Sequence, residues 1–198
     1  MSNNRLTRQI AFLAEADKLK TVNRRTPLGD ASRQENSAEH SWHLAIAVLA
    51  LCDYAEGIDR CRVLELVAVH DLVEIDAGDT FAYDRNLDVH RTKAERERTA
   101  AARIFGLLPS DQAQRLHALW EEFETAETRE ARFANALDRL QALVQNMLAG
   151  GGSWIEYQVT RPEVLRRMAP IETAIPAAWP WVLEVVDRFC AAGAILEG

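Results

Sequence analysis

Apolar residues recur at three- and four-residue steps along most of this chain. The pattern predicts helices over 6–20, 38–55, 60–75, 92–106, 110–124, 129–148 and 177–194. No segment alternates apolar and polar residues in the period-two manner of a strand, so no sheet is expected. Punctuation supports this division. Asn36 followed by Glu39 reads as a capping box opening the second helix. Gly57 closes that helix, Pro109 opens a later one, and Gly150-Gly151-Gly152 ends the longest. The polar stretch 21–35 holds Pro27-Leu28-Gly29 and is too long for a simple turn, and loops of that length often carry function. The expected fold class is all-α, a helical bundle formed by residues 1–198 as one domain.

Composition narrows the function classes. With 48% apolar and 27% charged residues, the 198-residue chain is globular rather than disordered. Its net charge of −7, and the lack of any basic run longer than Arg24-Arg25 or Arg166-Arg167, argue against a nucleic-acid polymer as partner. The apolar runs are too short for a membrane span, and the opening residues lead into an amphipathic stretch instead of a signal sequence. Three scattered cysteines, Cys52, Cys61 and Cys190, suit a reducing cytoplasm.

The candidate chemistry lies where apolar stripes turn polar. Residues 70–79 read H-D-L-V-E-I-D-A-G-D after an apolar run, and helical spacing puts His70, Asp71 and Glu74 on nearly one face. Acids gathered at the negative end of a helix are unfavourable unless a cation joins them, although a solvated helix end is the plain alternative. His40 leads the stripe Leu44, Ala47, Val48 and Leu51, where a histidine is usually a satisfied core residue. It could also form a clamp with His43. Asp138 sits at the edge of the stripe Phe133, Leu137, Leu140 and Val144 and needs a partner, either a metal or a distant arginine.

Taken together, His40 … His70-Asp71 … Asp138 resembles the signature of the HD-domain metal-dependent phosphohydrolases. The resemblance is closest to the small 5′-deoxynucleotidase branch. It runs within residues 18–145, from Leu19-Lys20-Thr21-Val22-Asn23-Arg24 through Glu74 and Gly78-Asp79 to Leu137-Asp138, with the helix 177–194 packing onto that part. It implies that His40, His70, Asp71 and Asp138 bind one divalent metal. It further implies catalytic roles for Glu74 and Asp79, with the division of water activation and proton donation between them left open, and an arginine at Arg24 against the substrate phosphate. Some relatives follow that arginine with a tryptophan that helps exclude the ribose 2′-hydroxyl. This chain has Arg25 there, a further candidate for sugar or phosphate contact, so selectivity for deoxyribose is in question.

Two imidazoles and two carboxylates make a net-neutral site for a dication and leave about two of six positions open. Mixed nitrogen and oxygen donors favour Mn, Co, Fe or Zn over Ca, with Mg possible. Lys93 and Arg91 are further cations for the mouth of the site, or simply a solvated helix start. Trp179-Pro180-Trp181 reads as core or as a contact in a homodimer. The expected activity is removal of phosphate from nucleoside 5′-monophosphates. The alternatives are hydrolysis of another phosphate ester or pyrophosphate, and a non-catalytic metal or nucleotide sensor.

Overall fold

In the computed structural model, which describes residues 2–198, capping chemistry sets most helix boundaries. Asn36 caps α2 (Ser37–Leu51), its side chain accepting from the amides of Ala38 and Glu39 while Glu39 returns to the Asn36 amide. Asp59 caps α3 (Arg60–Val69), Asn86 caps α5 (Leu87–Phe105) and Thr128 caps α7 (Arg129–Leu148). The remaining helices are α1 (Ser2–Ala16), α4 (Glu74–Ala77), α6 (Ser110–Thr125), α8 (Ser153–Glu156), α9 (Arg161–Ala174) and α10 (Trp179–Ala191). Helix α7 forms the centre, packing on α2, α3, α6 and α9. It buries Phe133, Leu137, Leu140 and Leu143 along one side. Among the described residues no helix is long and apolar enough to cross a membrane.

The all-α expectation holds, with three departures. First, the stretch 21–35 contains a small antiparallel hairpin, β1 (Asn23–Pro27) with β2 (Gln34–Asn36). Its sequence N-R-R-T-P lacks the apolar alternation of a strand, because the residues it turns inward are polar: Arg24 and Thr26 are buried, and Arg25 is exposed. Second, α9 is absent from the apolar pattern. Pro162 stands in its first turn, where proline is tolerated, Pro170 lies inside it, and Thr160 with Glu163 forms a second capping box. Third, the helix expected over 60–75 is not continuous. It tightens to a 3-10 turn at His70–Val73 and resumes as α4. Ala68 is exposed, and the buried stripe is Val63, Leu66, Val67 and Val69.

Two glycines hold the site's borders. Gly78 ends α4 at φ 73°, a conformation that a side chain disfavours. Gly152, at φ 43°, backs onto the hairpin so closely that a Cβ there would meet Pro27 Cγ at 2.8 Å. The loop after α7 thus braces the strand that carries Arg24.

Candidate metal centre

The 3-10 turn at His70–Val73 brings His70 and Asp71 inward together, and Glu74 follows at the start of α4. All three are buried. From α2 comes His40, fully enclosed, and from α7 comes Asp138. The ligand atoms of His40, His70 and Asp138 lie within 4.8 Å of one another. Asp71 lies outside that mutual set but touches both rings, with Oδ1 3.0 Å from His70 Nε2 and Oδ2 3.8 Å from His40 Nε2. His43 is turned away from this cluster. Its Nδ1 meets the Gln141 amide at 3.1 Å, so the two-histidine clamp does not form.

Each imidazole is fixed through its other nitrogen. His40 Nδ1 donates to Gln141 Oε1 at 2.9 Å. The Gln141 amide cannot be reversed, because its nitrogen donates to the Glu35 carboxylate at 2.8 Å. His70 Nδ1 donates to the Val67 carbonyl at 2.9 Å. In the neutral rings both Nε2 atoms therefore carry the lone pair. Both are buried and neither has a hydrogen-bond partner. Orphaned buried nitrogens are costly, and metal-ligating histidines show this arrangement with the second nitrogen tied.

The spacings fit a cation as well. Neighbouring donors on an octahedral ion of bond length about 2.1 Å lie roughly 3.0 Å apart. The pairs His40 Nε2–Asp138 Oδ1 and His70 Nε2–Asp71 Oδ1 are both 3.0 Å. The donor set is chemically suited to a divalent ion.

Electrostatics divide the four acids into two classes. Burial pushes Asp71 up, but His70, Arg24 and His40 more than reverse this and hold it at about 2. Asp138 likewise falls well below the ordinary range, its burial outweighed by His40, Arg167 and Arg24. Glu74 goes the other way. Burial, Asp71 and Asp79 push it well up, against Arg24 and the 2.7 Å hydrogen bond from Ser37 Oγ. Asp79 is also raised, chiefly by burial. Two carboxylates thus stay ionised, and two take a proton readily. Such a split is the kind by which neighbouring carboxyl groups come to serve different chemical roles.

Arg24 lies across the cluster, with Nη1 3.1 Å from Asp71 Oδ2 and 3.8 Å from Asp79, and Nη2 4.0 Å from Asp138. A cavity of about 330 Å³ opens in front, lined by Arg24, Asp71, Glu74, Asp79 and Asp138, with the exposed Arg25 at the same wall. Lys93 lines it too, 3.3 Å from Glu97 and 3.9 Å from Glu124, so it is more than a solvated helix start. Arg91 is exposed and pairs with Asp88. Trp120 and Phe123 are buried, with the Phe123 ring 4.6 Å from His70. The distant arginine weighed for Asp138 also exists, since Arg167 donates to Oδ2 at 3.3 Å while Oδ1 faces His40. Glu35, Ser37, Gln141 and Arg167 complete the site and were not anticipated. Only Arg167 had a local signal, the capping box of its helix.

Comparison with known proteins agrees with this geometry. A family model described as HD domain matches residues 16–179. The human protein named 5′-deoxynucleotidase HDDC2 is 34% identical over 116 residues, 59% of this chain and 55% of its own length. The chain therefore spans about half the length of that relative. The Schizosaccharomyces pombe protein named 5′-deoxynucleotidase hdd1 is 27% identical over 69% of each chain. A crystal structure from Magnetospirillum magnetotacticum MS-1, described as a predicted metal-dependent phosphohydrolase, superposes with a TM-score of 0.93. It has 46% identity and covers 98% of this chain and 97% of its own.

Proposed function

The chain belongs to the HD-domain family, and from that premise we propose that it is a metal-dependent phosphomonoesterase acting on nucleoside 5′-monophosphates. The observation that carries this reading is the pair of buried, unpartnered Nε2 atoms of His40 and His70, facing ionised carboxylates beside an acid-rich cavity. The names of the relatives, 5′-deoxynucleotidases, supply the substrate class.

His40, His70, Asp71 and Asp138 would hold one divalent ion, with Mn, Co, Fe or Zn favoured over Ca by the mixed donors and Mg also compatible. When bound, such an ion polarises a phosphoryl oxygen and makes an attacking water more acidic. The other residues do the rest. Arg24, on the inward face of β1, offers the substrate phosphate a planar, two-pronged donor. Glu74, oriented by Ser37, accepts the proton of the attacking water. Asp79, which holds a proton more readily than usual, delivers one to the departing 5′-oxygen.

The same reading makes the chain one domain, acting in the cytoplasm as a homodimer. The free cysteines fit a reducing compartment. The exposed stripes Leu6, Ile10, Leu13 on α1 and Trp42, Ile46, Leu49 on α2 are the apolar faces that a second copy would cover, and Trp181 is a further exposed aromatic. The decisive assay is phosphate release from a panel of ribo- and deoxyribonucleotides, sugar phosphates and pyrophosphate by chelator-stripped protein with single metals restored. Preference for nucleoside 5′-monophosphates is expected. Preference for pyrophosphate or sugar phosphates would assign another hydrolase reaction, and metal binding without turnover would leave a sensor.

A further inference from the structure

Two arginines in the cavity wall have no part in the mechanism above. Arg139, on α7 beside Asp138, and Arg167, on α9, both line the space in front of the metal site. Both lean on one carboxylate oxygen. Arg167 Nη2 lies 3.3 Å and Arg139 Nη1 3.7 Å from Asp138 Oδ2. The other oxygen of Asp138 faces His40. Asp138, already committed to the metal site, is the carboxylate nearest both guanidiniums, and Glu124 adds a smaller contribution at Arg139. The hydrogen bonds of Arg139 go to the neutral Asn135, at its carbonyl and at Oδ1. Partly buried cations with so little compensation favour an anionic ligand.

The same arginines also line an adjoining groove of about 620 Å³ that carries Arg85 and Arg166. Arg166 is exposed and makes no hydrogen bond or ion pair among the described residues. Arg85 reaches only the Gln158 carbonyl, at 3.4 Å. Of the two acids in the groove, Glu163 accepts from the Thr160 amide and also feels the charges of Arg85 and Arg166, and Asp84 accepts from the Asn86 amide. Four arginines against two carboxylates make this a positive region on a chain of net charge −7. Arg139 and Arg167 line both spaces, so the groove adjoins the cavity in front of the metal site.

We propose that Arg139, Arg167, Arg85 and Arg166 form a second phosphate subsite, which takes an additional phosphoryl group of a nucleotide whose first phosphate lies at Arg24. Guanidiniums suit this role because they meet phosphate oxygens in pairs. The inference rests on the nucleotide reading of the metal site. The additional group can be carried on the sugar 3′-oxygen or chained to the 5′-phosphate, and the experiment separates the two.

Manganese-loaded Glu74→Gln protein, which binds without rapid turnover, is titrated calorimetrically with three ligands. They are deoxyadenosine 5′-monophosphate, deoxyadenosine 3′,5′-bisphosphate and deoxyadenosine 5′-diphosphate. One of the two-phosphate ligands should bind at least about tenfold tighter than the monophosphate, the scale of one well-made charged contact. Adding Arg85→Ser and Arg166→Ser, both at exposed positions, should remove most of that advantage. A gain for the bisphosphate places the group on the sugar, and a gain for the diphosphate places it on the chain. No gain for either ligand, or a gain that survives the double substitution, overturns the subsite while leaving the nucleotide reading standing. No binding of the monophosphate itself sinks that reading, and this inference with it.

Discussion

The rings of His40 and His70 lie 5.5 Å apart at 55°, each donating through Nδ1 and each turning a buried Nε2 toward a carboxylate oxygen 3.0 Å away. Fixing both tautomers is the work of Gln141 and the Val67 carbonyl. Gln141 is in turn held by Glu35. Gln141→Leu should therefore leave the fold intact but loosen the His40 ring. Metal affinity, measured by chelator competition, should fall roughly tenfold to a hundredfold, the usual cost of losing such support. Unchanged affinity would show that Gln141 does not orient a ligand.

Metal binding should depend on pH through His70. Burial lowers its pKa, but Asp71 beside it more than compensates, so the metal-free protein holds that proton above the usual histidine range. The protonated ring stabilises the metal-free fold fully below about pH 6.5, and this contribution is lost as pH rises through the raised value. Affinity for metal runs the other way, because the proton must leave. It should climb with pH, by up to roughly tenfold per unit, and level off above the raised value. A flat affinity between pH 6 and 8 would contradict this, and calorimetry in buffers of different ionisation enthalpy would detect the released proton directly.

Glu74 sets activity against stability. Its carboxylate is held well above its ordinary pKa, so the ionised form is disfavoured in the metal-free fold at neutral pH. Glu74→Gln removes that burden and can keep the contact with Ser37. Thermal unfolding of the metal-free protein should move upward, while kcat should fall by roughly a hundredfold or more. A lower melting temperature together with unchanged kcat would return Glu74 to a structural role.

Arg25 is the position at which sugar selectivity can be tested. The alternation of β1 turns Arg24 inward and leaves Arg25 exposed at the cavity wall. Discrimination between ribo- and deoxyribonucleoside monophosphates should be weak, and Arg25→Trp should raise the preference for the deoxy substrate in the ratio of kcat/KM values. Strict deoxy selectivity in the unmodified protein would show that the sugar is read elsewhere.

How much of this was legible in the sequence depended on how local the signal was. His70, Asp71 and Glu74 share one turn, so spacing alone placed them together. The cap at Asn36 and Glu39 fixed the start of α2, and with it the inward direction of His40. The supporting residues are a different matter. Gln141 reaches His40 across 101 positions and Glu35 across 106. Arg167 reaches Asp138 from a helix that carries two prolines. Nothing near those residues in the chain reports such contacts. The hairpin carries no strand signal for a related reason, since its inward positions are Arg24 and Thr26, which serve a polar site instead of an apolar core.

The most direct test is metal-dependent phosphate release. Protein stripped with chelator should release no phosphate from deoxynucleoside 5′-monophosphates. Activity should return in proportion to added Mn or Co and saturate at one ion per chain, and Asp138→Ala should show neither tight binding nor recovery. Equal phosphate release from stripped and reloaded protein, or none with any metal while one ion binds at full occupancy, would contradict the account.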